Sequence, residues 1–302
     1  MRGQHGARPP TVAAMTFIKT VGANGLTFGY IEAGSGPLAL CLHGFPDSAH
    51  TWRHLLPALA EAGYHAVAPF QRGYAPTGVP TDGAYQTGAL AADAIALHEA
   101  LGGSDDAVLI GHDWGASATY TAAAYDPSRW RRTVAMAVPP FAAMASTFFD
   151  YAQLRRSFYI FLFQTSLGEA AVSADGMAFL DRLWADWSPG YDAAADLERV
   201  KACLREPANL TAALGYYRAM FDPSRHVDAY AAEQAATGSA GDRPVLYLHG
   251  SADGCLGAEQ AEGVEEHLPP GSRAEIVPGA GHFLHLEEPA TVNRLIVEWL
   301  CG

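Results

Sequence analysis

A chain of 302 residues with 49% hydrophobic side chains can fill a large core, so neither a small module nor a disordered chain is expected. Its 31 Gly and 19 Pro fall near average usage, which excludes collagen-like and low-complexity readings. The formal charge of −13 removes the basic footprint needed to bind nucleic acid or an anionic lipid surface, so neither is expected as a partner.

The N-terminal dozen residues read as a frayed lead-in, the first fourteen lack the apolar stretch of a signal peptide, and no run of about eighteen apolar residues follows that could span a membrane. A cytoplasmic chain is expected. Leu26–Glu32 alternates apolar and polar residues and predicts an antiparallel outer strand. Leu38–Leu42 is an unbroken apolar run ending at His43-Gly44, the pattern of a strand buried on both faces. In Thr51–Ala62, Trp52, Leu55, Leu56, Leu59 and Ala60 share one helical face. A strand at His65–Pro69, a helix at Ala89–Leu101 and a buried strand at Ala107–Ile110 follow, the last running straight into Gly111-His112-Asp113-Trp114-Gly115. An Ala-rich helix over Ala116–Tyr125 and a strand over Thr133–Val138 complete this half.

Beyond Pro140 the rhythm changes. Residues 141–229 are aromatic-rich and helix-like, without a buried-strand pattern; strands resume at Pro244–His249 and Ala274–Val277, and a last amphipathic helix runs over Pro289–Leu300. This predicts a doubly wound, mostly parallel α/β core over 15–140 and 230–302, interrupted by a helical cap over 141–229.

Gly111-His112-Asp113-Trp114-Gly115 is the frame of a nucleophile elbow, G-x-Ser-x-G, with Asp in place of Ser. Two readings are open for Asp113: a nucleophile at a strand-to-helix turn too tight for flanking side chains, or an N-cap of the following helix. The rest of the chain bears on the choice, because an α/β hydrolase places an acid and then a His downstream, in that order. Asp253 follows the Pro244–His249 strand and His282 follows the Ala274–Val277 strand, both at carboxyl ends where open α/β sheets collect catalysts. Asp253 could also simply make a turn. Glycines on the amino side of His282 leave its ring free to swing toward the elbow; His285 is its competitor and is expected to pack, while His43, His112 and His249 are expected to hold loops. Cys41, Cys203, Cys255 and Cys301 are scattered, without CxxC or a His-flanked spacing, so no metal and no cofactor are expected and a reduced compartment is the default.

An aspartate is ionised at neutral pH and attacks without a base. It is poor against amides but can displace a leaving group from sp3 carbon, giving an alkyl-enzyme ester. His282, oriented by Asp253, would then activate water against that ester, and the backbone N–H groups of Phe45 and Trp114 are the expected oxyanion hole. A halide and an epoxide oxygen are both open as leaving groups. The epoxide oxygen needs a proton donor, and the cap is rich in phenols.

His43-Gly44-Phe45-Pro46, Arg72-Gly73-Tyr74, Gly111-His112-Asp113-Trp114-Gly115 and Gly281-His282-Phe283 together resemble the α/β-hydrolase-fold epoxide hydrolases, from about residue 25 to the C-terminus. The resemblance implies hydrolysis of a small apolar epoxide by water, a cis Phe45–Pro46 bond, and two cap tyrosines that grip the epoxide oxygen. Segments 157–164 and 216–220 match the family's, which points to Tyr159 and Tyr217 as donors and, with Phe45 and Trp114, as substrate-binding residues; Tyr151, Tyr191 and Tyr216 are their rivals. Ala75 stands where the family often has Gly. Haloalkane dehalogenases resemble the same core and are the alternative, with Trp184 and Trp187 as halide contacts; they usually carry Asn where this chain has Phe45, and fluoroacetate dehalogenases usually carry Arg where it has Trp114. A non-catalytic ligand binder would be expected to have lost a triad member, and none is missing. Phe141, Phe148, Phe149, Phe179, Trp184 and Met220 are expected to shape an apolar pocket, and a homodimer is left open.

Overall fold

Unbroken apolar runs become the centre of the sheet. The computed structural model describes residues 17–145 and 147–302, so the lead-in and the expected start of the core at residue 15 lie outside the described residues. Eight strands form one sheet: β1 (Lys19–Ala23), β2 (Leu26–Gly34), β3 (Leu38–Leu42), β4 (His65–Pro69), β5 (Val108–His112), β6 (Arg132–Met136), β7 (Val245–Gly250) and β8 (Arg273–Val277). Their order is β1-β2-β4-β3-β5-β6-β7-β8, with β1, β2 and β4 paired antiparallel and every later pair parallel. Every residue of β3, β5 and β7 is buried, as strands covered by helices on both faces must be.

The expected outer strand, β2, is second from the edge. β1 lies outside it, joined by a two-residue turn at Asn24-Gly25, where φ is 44° and 72°. Asn-Gly supplies the positive φ values that such a hairpin turn requires. The helix expected over Thr51–Ala62 is a 3-10 turn (Ala49–Arg53) followed by α1 (Leu55–Glu61). Pro57 explains the break, because it has no N–H to donate to the Arg53 carbonyl and is tolerated only in a first helical turn.

The remaining core helices are α2 (Thr87–Ala100) and α3 (Trp114–Tyr125), then, after β6, seven helices in succession: α4 (Phe141–Met144), α5 (Tyr151–Arg156), α6 (Phe158–Phe163), α7 (Gly168–Ser173), α8 (Ala178–Trp187), α9 (Ala194–Leu204) and α10 (Pro207–Phe221). α11 (Ala231–Ala235) returns to pack on α2 and α3, and α12 (Leu284–Glu287) and α13 (Pro289–Cys301) close the chain, α13 packing beside α1. Among the described residues no strand lies between β6 and β7. The side chains of this helical insertion share one continuous hydrophobic cluster with the sheet, Tyr159, Phe163, Trp184 and Tyr217 being buried together with Phe45 and Leu42. Among the described residues no helix is long and apolar enough to cross a membrane.

Candidate active site

Asp113 stands between β5 and α3 with φ 54° and ψ −120°, a backbone conformation sparsely populated for a residue with a side chain and typical of functional turns. The flanking glycines have a steric reason: a Cβ on Gly115 would run into the Leu42 carbonyl, and one on Gly111 into the Gly115 carbonyl. The Asp113 side chain does not cap α3. Its Oδ1 instead accepts the Phe45 N–H at 2.7 Å across the sheet, from the loop after β3. The Phe45–Pro46 bond is cis. Trp114 N–H is the first of α3, where no helical carbonyl is available to accept it.

The loops after β7 and β8 meet behind this carboxylate. His282 Nδ1 donates to Asp253 Oδ2 at 2.9 Å, and its Nε2, buried and otherwise without a partner, lies 3.6 Å from Asp113 Oδ2. Asp253 also makes the turn that was its competing role, its Oδ1 accepting the N–H groups of Cys255 (2.7 Å) and Leu256 (3.0 Å). Burial opposes a charge on the His282 ring, but the carboxylates of Asp253 and Asp113 outweigh it and raise its pKa to about 10. The other histidines serve the loops. His112 Nε2 donates to the His282 carbonyl at 2.9 Å, His43 Nε2 accepts the Gln71 N–H at 3.0 Å, and His249 bridges the Tyr247 hydroxyl and the Leu256 carbonyl. Burial lowers the pKa of His112 to about 3 and of His43 to about 4, keeping both neutral. His285 stacks on Trp52 and bonds Thr51.

The glycines before His282 have a different use from the one expected. A Cβ on Gly281 would overlap Ser188 and the Trp187 carbonyl at the end of α8, so the residue permits close packing and the ring is fixed in place. The Trp187 carbonyl accepts the N–H of His282 (2.9 Å) and of Gly254 (3.1 Å), while Ser188 Oγ accepts from Phe283 N and donates to Glu287. Ser188 and Glu287 were not foreseen. No motif marks them, because they reach the loop across the fold.

Tyr159 on α6 and Tyr217 on α10 line the same cavity as Asp113 and Trp114, their rings 5.6 Å apart edge to face. The Tyr159 hydroxyl meets Cys255 Sγ at 3.4 Å, and the buried Tyr217 hydroxyl has no partner among the described residues. Burial, reinforced by the negative charge of Asp113, holds both phenols well above the usual tyrosine range, so both stay O–H donors. Their rivals are engaged elsewhere. Tyr216 donates to the Arg72 carbonyl (2.8 Å), Tyr191 to Asp196 (2.8 Å), and Tyr151 is 79% exposed. The Arg72-Gly73-Tyr74 loop that receives Tyr216 is itself anchored by a buried Arg72–Asp93 pair at 2.6 Å. Ala75, in place of the family's Gly, precedes a second cis bond, to Pro76.

Of the aromatic residues expected to shape the pocket, Phe141, Phe148 and Met220 line the cavity. The other three do not. Phe149 is turned to solvent, Phe179 packs on Phe158 and Phe163, and Trp184 stacks on Phe283 with its Nε1 donating to the Pro46 carbonyl at 2.9 Å. Trp187 lies edge-on to His282. Among the described residues two buried groups bring three metal-ligating side chains together, Asp47–His112–His285 and Asp253–Cys255–His282, and in the second Asp253 and His282 are bonded to each other. The four cysteines are free thiols.

Sheet order and elbow define the molecule as an α/β hydrolase. The alpha/beta hydrolase fold family matches residues 37–289. Epoxide hydrolase A of Mycobacterium tuberculosis (strain ATCC 25618 / H37Rv) is 30% identical over 94% of this chain and 97% of its own length, and the AB hydrolase superfamily protein YfhM of Bacillus subtilis (strain 168) is 32% identical over 93% and 96%. The crystal structure of epoxide hydrolase A from Mycobacterium thermoresistibile superposes with a TM-score of 0.79 at 29% identity, covering 95% of this chain and 99% of that one. The chain belongs to the α/β-hydrolase-fold epoxide hydrolase family.

Proposed function

We propose that the protein is an enzyme that hydrolyses epoxides to vicinal diols through a covalent ester on Asp113. One observation carries this reading: the Asp113 carboxylate, held by the Phe45 N–H at 2.7 Å and 3.6 Å from an otherwise unpartnered His282 Nε2, shares its cavity with two buried phenols. In the first step Asp113 Oδ2 bonds to a ring carbon, the C–O bond of the oxirane breaks, and the oxygen takes a proton from Tyr159 or Tyr217. Ester formation removes the negative charge of Asp113. The imidazolium, which that charge stabilised, then gives up its proton to restore the phenol and becomes a neutral base.

In the second step His282 takes a proton from water, the hydroxide adds to the Asp113 carbonyl carbon, and negative charge gathers on Oδ1. Phe45 N–H already faces that atom and Trp114 N–H is free to join it. Collapse breaks the bond from the carbonyl carbon to Oδ2, the departing alkoxide takes the proton that the added hydroxide brought to Asp113, and the diol leaves with Oδ2 while the carboxylate and the imidazolium are restored. The helical insertion acts as the cap over 141–229 that brings in the phenols and closes the site. Four free thiols support a reduced, cytoplasmic workplace.

A dehalogenase would need N–H donors for the halide; of the two tryptophans expected to supply them, Trp184 spends its N–H on the Pro46 carbonyl, and neither Trp184 nor Trp187 lines the cavity with Asp113. Incubation with styrene oxide and with 1-bromobutane separates the two: diol without bromide is expected, and bromide release overturns the reading. A single turnover of styrene oxide in heavy-oxygen water should leave the label in Asp113 and an unlabelled diol.

A further inference from the structure

We infer, on the epoxide reading above, that the preferred substrates have two unlike sides: an apolar substituent on the oxirane and, opposite it, a chain bearing hydroxyl, ether or amide groups. The cavity that holds Asp113 measures about 380 Å³, more than a phenyl-substituted oxirane fills, and its walls change character along its length. Around Tyr159 they are apolar, built from Ile160, Leu256, Met144 and Phe148.

Along α3 hydroxyls enter the wall, beside the rings of Trp114 and Tyr120. Ser117 and Thr121 lie four and eight residues beyond Asp113, hence on the same helical face, and reach about 12 Å from it at 1.5 Å per residue. Thr87 at the start of α2, Gln234 on α11 and Thr237 just after it line the same cavity. Gln234 is held in a fixed orientation. Its Oε1 accepts the Gly88 N–H at 2.8 Å, and any Cβ on Gly88 would strike the Gln234 backbone, so α11 sits hard against α2. With the carbonyl oxygen engaged, the amide offers its two N–H donors as recognition groups.

Four hydroxyls and an amide make a poor wall for a hydrocarbon. An alkyl chain laid along them would strip their water and return no hydrogen bond, whereas a chain with its own polar group replaces that water. Neither Ser nor Thr is needed here for the helix, since Ala is the better helix former at both positions. These positions bear no chemistry in the two-step scheme, so selection among substrates is the use that fits them.

The test compares two substrates that differ by one atom: 7,8-epoxyoctan-1-ol and 1,2-epoxynonane, in which a methyl replaces the hydroxyl. Both are offered to the purified full-length protein, with styrene oxide as reference. The alcohol is expected to give the higher kcat/KM, and the Ser117→Ala, Thr121→Val double variant to shift the ratio toward the hydrocarbon by about tenfold. A wild-type preference for 1,2-epoxynonane overturns the inference, as does a ratio that the double variant leaves in place while melting like the wild type. If styrene oxide is opened and the preference is absent, only the two-sided substrate falls; if no epoxide is opened, the epoxide reading itself falls with it.

Discussion

Asp113, Asp253 and His282 stand where buried strands end, whereas Tyr159 and Tyr217 stand within helices of the insertion, surrounded by other aromatic rings. The first set is fixed by backbone. Parallel strand registers, a turn too tight for side chains and N–H groups on carboxylate oxygens leave each atom one place to be. The second set is held mainly by packing, ring against ring, with one weak bond to a thiol and one hydroxyl without a partner among the described residues. A hydrolase of this kind can hold its carboxylate and imidazole rigid in the sheet while the helices above vary what is protonated and what is admitted.

Substitutions put that contrast to the test. The largest effect is expected for Asp113→Asn, which should lower diol formation about 10⁴-fold or more and leave no alkyl-enzyme detectable by mass spectrometry, provided the Asn does not deamidate. Full activity there would remove the sheet from the chemistry. His282→Gln should slow turnover about 10³-fold while the enzyme gains the mass of the epoxide, since alkylation needs no base. Exchanging both Tyr159 and Tyr217 for Phe should cost alkylation roughly 10²–10⁴-fold, with each single exchange costing less. If instead the double exchange spared alkylation and slowed only ester hydrolysis, the helices would have been assigned to the wrong step.

Smaller effects report on stability. Because His282 binds its proton more tightly folded than unfolded, its imidazolium stabilises the fold fully below about pH 6.5, and that contribution is lost as pH rises through about 10. Denaturant titrations between pH 7 and 10 should show the wild type losing on the order of 3 kcal/mol more than His282→Gln over this interval. Equal slopes would mean that the two carboxylates do not hold the proton. Ser188→Ala, which unties the His282 loop from α8, should cost about 1 kcal/mol and slow turnover a few-fold.

The same contrast governs what the sequence made legible. A strand buried on both faces must be apolar at every position, so Leu38–Leu42 and the run into Gly111 were readable almost to the residue. β1 was passed over because half of it faces solvent, although Asn24-Gly25 was a hairpin signal in plain view. In the insertion an aromatic residue looks alike whether it lines a cavity or fills a core; hence Trp184, an expected pocket wall, is in fact a buried brace between Phe283 and Pro46. Tyr216 and Tyr217 are adjacent, yet one ties down a loop and the other faces Asp113's cavity, and only the family likeness told them apart. Ser117 and Thr121 could have been found from spacing, as hydroxyls at helical intervals from the elbow.

The junction of α8 with the loop around His282 restricts how the molecule can breathe. Trp187 and Ser188 are stitched to Gly254, His282 and Phe283, so a hinge that raised α8 would drag the imidazole away from Asp113. Among the described residues no α8 side chain lines the cavity that holds Asp113. Phe141 and Met220, cavity residues that also reach solvent, mark a side of it that α8 leaves open.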